Sequence, residues 1–319
     1  MRALVGLGVG ALLLGSASLA AGVVAGGRLA VLGADPVTAA APAASAAPAT
    51  PGATLVPFAP PAGTPSAATP APARPFATLQ AEVDDLLAAA GASGGVSLVE
   101  LAGASPRSWA DNGDQRFVAA STYKLPLLME DAQDIAAGRA SPNDQLCYDP
   151  DDWEDGYFSD YEPGDCFSRA TLDQRAGTYS DNTAAHILVR YDGGTDALNA
   201  YARAHGTTES TFYDPNVTTS NDLARLWQDE AAGRAGGVRA QAYLYPLLTD
   251  TAYEEGIPAG TPAGTTVVHK IGILDAQVND AALVESGPRG PYVLAICTEG
   301  GGWPLVANIS RAVAQFEAS

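Results

Sequence analysis

The chain has 319 residues with 36 acidic and 17 basic side chains, a net charge of −19 and a pI near 4.3. Phosphate binding requires clusters of lysine and arginine, and the sequence contains none, which argues against a nucleic-acid partner. The three histidines, His186, His205 and His269, form no His-Glu-x-x-His pattern. The sequence therefore predicts neither a zinc site nor any other metal or cofactor.

The N-terminal residues 1–33 read as a targeting segment. Arg2 is followed by 25 uncharged residues, 3–27, which is long enough to span a bilayer as a helix. Ser18-Leu19-Ala20 alternatively offers a small-residue cleavage site for a signal peptide. An uncleaved membrane anchor is favoured because the apolar run continues past that site. In both cases we expect the rest of the chain to be extracytoplasmic.

Residues 34–75 form a predicted linker. The stretch from Pro36 to Pro75 holds 11 of the 23 prolines, mostly among alanine and threonine. Such a composition cannot bury a core and favours extended, partly polyproline II backbone. The linker would hold one folded domain, residues 76–319, away from the membrane.

Apolar periodicity predicts strands at both ends of this domain and helices between them. The predicted helices are 76–90, 121–137, 171–191, 195–205, 220–232, 239–248 and 305–316, and the predicted strands are 94–101, 108–118, 265–274, 280–285 and 292–298. Consecutive strands with short turns imply antiparallel pairing. The predicted fold class is α+β: an antiparallel sheet of N- and C-terminal strands with flanking helices, plus an all-helical subdomain.

Ser121 and Lys124 stand at the start of the second predicted helix and share one of its faces. A neutral amine can take the proton of a serine hydroxyl and make it nucleophilic. The N–H groups of a helix N-terminus suit an oxyanion. Taken alone, the pair is equally compatible with a helix cap followed by a solvated lysine.

Two further motifs favour the catalytic interpretation. Ser180-Asp181-Asn182 lies in the helical middle, and His269-Lys270-Ile271-Gly272 lies in a late edge strand. With Ser121 and Lys124, these motifs in this order resemble the class A β-lactamase-like serine hydrolases of the β-lactamase and penicillin-binding protein superfamily. The resemblance covers the whole of residues 76–319.

The resemblance implies a role for each matching residue. Ser121 would form an acyl-enzyme, Lys124 would accept its proton, and Ser180 would relay a proton to the leaving nitrogen. Lys270 would face the substrate carboxylate, and Asp181 would brace the turn. The implied substrate-binding residues are Asn182, Gly272 and Ile273, with the N–H groups of Ser121 and Ile273 as the oxyanion hole.

Two departures from the family pattern concern substrate binding and turnover. Ile271 lacks the hydroxyl that the family uses for the β-lactam carboxylate. The short loop, residues 206–220, lacks the Glu-x-x-Leu-Asn pattern of the deacylating glutamate. Asp214 is the candidate deacylation base, with Glu209 the other carboxylate available, although Asp214-Pro215-Asn216 also reads as a simple turn. We therefore expect slow deacylation.

Cys147 and Cys166 enclose the acidic loop, residues 148–165, which holds eight carboxylates and no basic residue. An exported domain favours a disulfide between these cysteines, with Cys297 left as a buried thiol. Some carboxylates fall at EF-hand-like spacing, but Trp153 occupies a ligand position, so a solvated loop at the cleft rim is favoured over calcium.

The sequence thus predicts a monomeric serine hydrolase that opens β-lactam amides through an acyl-enzyme, without a cofactor. Its partner would be a β-lactam or a peptidoglycan-peptide-like molecule. Two alternatives stay open: a D,D-peptidase or esterase of the penicillin-binding type, and a sensor module that is acylated without turnover.

Overall fold

The computed structural model describes residues 74–103 and 106–319. The predicted membrane segment 1–33 lies outside the described residues, and so does the predicted linker except for residues 74 and 75. Within the described ranges, no helix combines the length and the apolar character needed to cross a bilayer.

A five-stranded antiparallel sheet joins the two ends of the domain. Its strands, in the order β2-β1-β9-β8-β7, are β1 (Ser93–Glu100), β2 (Ser108–Asp111), β7 (Val267–Leu274), β8 (Gln277–Gly287) and β9 (Gly290–Glu299). β1 pairs with β9 from Ser93 opposite Glu299 to Glu100 opposite Tyr292. This pairing confirms the predicted sheet of N- and C-terminal strands, and it leaves β7 at one edge.

Terminal helices cover one face of the sheet. α1 (Phe76–Ala90) and α9 (Gly302–Glu317) pack on it, with the short α8 (Ile257–Gly260) beside α9. The apolar stripe of α1 places Leu79 and Val83 in a fully buried core. This core also contains Val96, Leu98, Leu294, Ile296, Ile309, Val313 and Phe316.

The helical subdomain lies on the other face. It comprises α2 (Lys124–Ala137), α3 (Arg169–Thr178), α4 (Asn182–Tyr191), α5 (Gly194–Ala204), α6 (Ser220–Ala231) and α7 (Gly237–Leu244). α6 packs against β1, β8 and β9 and buries Trp227 completely. The apolar core of this side includes Leu125, Leu128, Leu188 and Leu226. The predicted α+β architecture is therefore confirmed.

Two short strand pairs connect the loops to this framework. β3 (Phe117–Val118) pairs with β6 (Val217–Thr218), which lies within the short loop. β4 (Gln145–Cys147) pairs with β5 (Cys166–Ser168), so the two cysteines lie opposite each other at the neck of the acidic loop.

Three predicted elements were wrong in their continuity. The predicted helix 171–191 is two helices, because Ser180 adopts a left-handed φ of 56° and Asp181 caps α4 through the Ala184 N–H. The predicted strand 108–118 is interrupted at Asn112, whose φ is 48°. The predicted helix 239–248 becomes a 3₁₀ turn at 245–247, which contains a proline.

Candidate active site

Ser121 lies in a 3₁₀ turn, Ala120–Tyr123, directly before α2. The turn is entered through Ala120, which has a left-handed φ of 48°, an unfavourable conformation for alanine. Asn216 Nδ2 donates to Ala120 O at 3.0 Å, and Thr122 Oγ1 donates to Ala119 O at 2.7 Å. These contacts hold the strained turn and present a half-buried serine at the edge of a cleft.

Lys124 is the closest titratable partner of Ser121. Its Nζ lies 3.0 Å from Ser121 Oγ, 2.6 Å from Ser180 O and 2.6 Å from Asn182 Oδ1. The side chain is fully buried, and burial lowers its pKa to about 7, against the opposing effect of Asp181 and Glu154.

These contacts suit a neutral amine. The two carbonyl oxygens are acceptors only, so they occupy both N–H bonds of an uncharged Lys124. The nitrogen lone pair is then left for the Ser121 hydroxyl. The arrangement can therefore take the serine proton as the hydroxyl attacks a carbonyl carbon.

Ser180 and Lys270 form a second pair next to the first. Lys270 Nζ donates to Ser180 Oγ at 2.8 Å and to Ile271 O at 3.1 Å. Burial, assisted by the nearby Lys124, lowers the pKa of Lys270 well below its ordinary value. The structure thus brings all three predicted motifs together in one cleft.

Gly272 allows β7 to approach the Ser121 turn. A Cβ at this position would lie 2.5 Å from Ala119 O and 3.1 Å from Ser121 N, so any side chain would push the strand away. Ile273, the next residue, is 41% exposed and lines the cleft. The edge position of β7 therefore sets its backbone against the reactive serine.

Asp181 fastens the acidic loop to α4. Its buried carboxylate accepts the N–H of Phe158 at 2.8 Å and the hydroxyl of Tyr161 at 2.5 Å, in addition to the Ala184 N–H. The geometry agrees with the bracing role that the resemblance implied for Asp181, and it extends that role to the loop.

Asn182 continues the network on the other side of Lys124. Its Nδ2 donates to Glu154 Oε1 at 3.1 Å and to Asp155 O at 2.8 Å. The other Glu154 oxygen, Oε2, lies 2.9 Å from His186 Nε2. The sequence analysis assigned neither Glu154 nor His186 to the site.

The position of His186 in the site could have been predicted from the sequence. His186 follows Asn182 by four positions on α4, so the two share a face. The position of Glu154 could not have been predicted from the sequence, because it depends on how the acidic loop folds back onto α4.

The cleft has two lobes that meet at Ser121. The Glu154 lobe, of about 420 Å³, is lined by Glu154, His186, Tyr213 and Asn216 together with Ser121. The Ser180 lobe, of about 380 Å³, is lined by Ser180, Tyr157, Tyr253 and Ile271 together with Ser121. Asn182 and Ile273 border both lobes.

The structure places the candidate deacylation base Asp214 on the surface. Asp214 is exposed, and its neighbours Tyr213 and Asn216, rather than Asp214, line the Glu154 lobe. Glu209 pairs at the surface with Arg116, at 2.7 Å. The short loop thus directs its carboxylates away from the cleft.

Cys147 and Cys166 are joined by a disulfide, and Cys297 is a buried free thiol. Within the described ranges, His, Cys, Asp and Glu side chains form no group of three or more that could hold a metal ion. In the acidic loop, Asp152 instead pairs with Arg190 at 2.6 Å.

Comparisons with known proteins agree with this site. The family model described as "Beta-lactamase enzyme family" matches residues 78–316. β-Lactamase OXY-1 from Klebsiella oxytoca is 28% identical over 237 residues, which cover 68% of this chain and 79% of that protein. β-Lactamase CTX-M-8 from Citrobacter amalonaticus is 34% identical over 140 residues, which cover 39% of this chain and 48% of that protein.

A solved structure of similar fold is a mutant of PBP-A in an acyl-enzyme complex with penicillin G. It has a TM-score of 0.71 and 27% identity, and the match covers 76% of this chain and 97% of that one. The family model spans nearly the whole described domain and includes the Ser121, Ser180 and Lys270 motifs. The chain therefore belongs to the beta-lactamase enzyme family, as a serine enzyme of class A type.

Proposed function

We propose that this enzyme hydrolyses β-lactam amides outside the cytoplasm through an acyl-enzyme on Ser121. The observation that carries the proposal is the contact between Ser121 Oγ and a buried Lys124 that is held by two carbonyl oxygens. The acylated PBP-A relative supports penicillin as an acyl donor for this fold.

Each step of acylation has a residue at hand. Lys124 takes the proton of Ser121 as Oγ bonds to the lactam carbonyl carbon, and Ser180 passes a proton to the leaving nitrogen. Lys270 donates a hydrogen bond to Ser180 Oγ at 2.8 Å and faces the substrate carboxylate. Asn182 holds the substrate amide, and the N–H groups of Ser121 and Ile273, with Gly272 allowing the approach, stabilise the oxyanion.

Deacylation is the slow step in this proposal. The short loop supplies no carboxylate to the cleft, and a positioned base typically contributes roughly 10²–10⁴-fold. The same observation favours a second candidate function, a penicillin-binding D,D-peptidase or esterase on the same residues. A sensor that stays acylated is the limiting case of very slow release.

We place the domain outside the cytoplasm as a monomer that is attached to the membrane by residues 1–33. The apolar N-terminal run, the proline-rich linker and the disulfide support this location. A reporter that is active only outside the cytoplasm, fused after residue 75, tests export. Light scattering of the purified protein tests the oligomeric state.

Intact mass spectrometry after exposure to benzylpenicillin tests the reaction. The wild-type mass should rise by one penicillin, and Ser121→Ala should abolish the adduct without changing the melting temperature by more than a few degrees. Benzylpenicilloate released over many turnovers identifies a hydrolase, and a permanent adduct identifies a penicillin-binding protein. An adduct that persists in Ser121→Ala would rule out Ser121 as the nucleophile.

A further inference from the structure

The Glu154 lobe contains an acid–base pair that acylation does not use. Glu154 is the one carboxylate among the described residues that line this lobe, and His186 is its neighbour. The pair lies one hydrogen bond beyond Asn182, which in turn binds Lys124. A chain of contacts therefore links Ser121 to the pair through Lys124 and Asn182.

The hydrogen-bond partners of the His186 ring leave room for one more proton on the Glu154–His186 pair. His186 Nδ1 lies 3.0 Å from Asp152 O, and Nε2 lies 2.9 Å from Glu154 Oε2. Both partners are acceptors when Glu154 is ionised, but a neutral imidazole has only one N–H. One more proton would give an imidazolium with both N–H groups bonded.

The surroundings weaken the binding of that proton to His186. Burial lowers the pKa of His186, and Lys124 lowers it further when its amine is charged, while Glu154 and Asp152 oppose the shift. The ring also meets Tyr213 edge-on, with centroids 5.0 Å apart. Both ring nitrogens of His186 thus already have the hydrogen-bond partners that its protonated form needs.

Backbone contacts fix Glu154 while its carboxylate stays accessible. The Thr183 hydroxyl accepts the Glu154 N–H at 3.1 Å and donates to Glu154 O at 2.9 Å. The Glu154 side chain is 54% exposed, whereas that of His186 is 13% exposed. The carboxylate can therefore meet water in the lobe, and its orientation is set from behind by His186 and Asn182.

We propose that the Glu154–His186 pair is the proton acceptor for the water that releases the acyl group from Ser121. This inference rests on the proposed acyl-enzyme. Deacylation remains the slow step, and the pair supplies the base that the short loop does not provide, so that release is slow rather than absent. Asp214 and Glu209 lie outside the lobe. Ser180 lines the opposite lobe, where the leaving nitrogen departs, and Lys270 is buried behind Ser180.

The step balances without any co-reactant. Water oxygen bonds to the ester carbonyl carbon, and one water proton moves onto the pair. The tetrahedral intermediate then breaks its bond to Ser121 Oγ, and its hydroxyl proton passes to Oγ with Lys124, 3.0 Å away, as the relay. The products are a carboxylate and free Ser121, and the exposed Glu154 returns its proton to solvent.

The test separates the two half-reactions in the full-length protein at pH 8, above the Lys124 pKa of about 7. Benzylpenicillin is mixed with wild type, Glu154→Gln, His186→Asn and the double variant. Acyl-enzyme formation and decay are followed by rapid quench and intact mass. Glu162→Gln, an exposed carboxylate of the same loop with no place in the lobe, is the matched control.

Glu154→Gln and His186→Asn should each slow the decay of the acyl-enzyme by about 10²-fold and change its formation less than about threefold. The double variant should be no slower than the slower single variant, because the pair acts as a unit. Glu162→Gln should match wild type in both steps.

Three results would overturn the inference, and they can be told apart. Decay that is unchanged in Glu154→Gln removes the pair from deacylation but leaves the proposed function intact. The Glu154→Gln acylation rate is also measured with ampicillin. If that rate falls with ampicillin but not with benzylpenicillin, Glu154 instead recognises a substrate ammonium group. A wild-type protein that neither gains mass nor releases benzylpenicilloate refutes the proposed function together with this inference.

Discussion

The acidic loop and the short loop border the same lobe of the cleft but hold their carboxylates differently. In the acidic loop, Glu154 points into the lobe and Asp152 is buried against Arg190. In the short loop, Glu209 reaches a surface arginine and Asp214 faces solvent. The loop with the more polar composition is thus the one that contributes a carboxylate to the site.

Anchoring explains the difference. The acidic loop is closed by the disulfide and fastened to the start of α4 by Asp181 and Thr183, so its middle lies beside Asn182. The short loop is gathered around Asp222, which accepts the N–H groups of Glu209 and Ser210 at 2.8 Å each. These contacts fix the backbone at Glu209, whose side chain reaches Arg116 at the surface.

The largest expected effect comes from breaking the anchor of the acidic loop. Asp181→Ala should lower the free energy of unfolding by roughly 3–5 kcal/mol, because two buried donors and one part-buried donor each lose their acceptor at about 1–3 kcal/mol. Urea denaturation measures the loss. The control is Asp196→Ala, an acidic residue in the first turn of α5, which should cost less than about 1 kcal/mol. Equal losses in the two variants would contradict the anchor.

Removing the disulfide should have the next largest effect. The bond closes a segment with a sequence separation of 19, and the chain-entropy estimate gives it roughly 3 kcal/mol. Cys147→Ser combined with Cys166→Ser should lower the melting temperature relative to the wild type with its disulfide intact. Peptide mapping without reductant that found Cys147 and Cys166 both free would disprove the bond in the purified protein.

The sequence predicted the parts of the molecule that depend on local pattern. Alternating and helical spacing located the sheet, α1 and α9, and the three motifs located Ser121, Ser180 and Lys270. It failed where a single backbone angle decides the structure, as at Ser180, whose left-handed φ ends one helix before Asp181 begins the next.

Glu154 was missed for a tertiary reason. Eight carboxylates in one loop look alike in sequence, and only folding selects which one meets Asn182. The interpretation of the loop as solvated holds for Glu162, which is exposed, but is wrong for Asp152, which is buried.

The pH dependence of acylation measures how Glu154, in the acidic loop, affects the pKa of Lys124. Lys124 must be neutral to accept a proton, so acylation should rise with pH through about 7 and be about 100-fold slower at pH 5 than on the plateau. Glu154 raises the pKa of Lys124, so Glu154→Gln should move the inflection to lower pH. Stopped-flow acylation rates across pH 5–9 measure both effects, and a flat profile would refute Lys124 as the base.

The smallest expected effect on hydrolysis comes from substitutions in the short loop. Asp214 was the deacylation base suggested by the sequence, but its carboxylate faces solvent outside the Glu154 lobe. Glu209 is held at the surface by Arg116. Since surface substitutions away from a site rarely exceed about 0.5 kcal/mol, Asp214→Asn and Glu209→Gln should each change the steady-state hydrolysis rate less than about twofold. Nitrocefin turnover measures this against Glu154→Gln. A tenfold loss in Asp214→Asn, with Glu154→Gln unaffected, would return the base to the short loop and require that loop to close over Ser121 when the acyl group is bound.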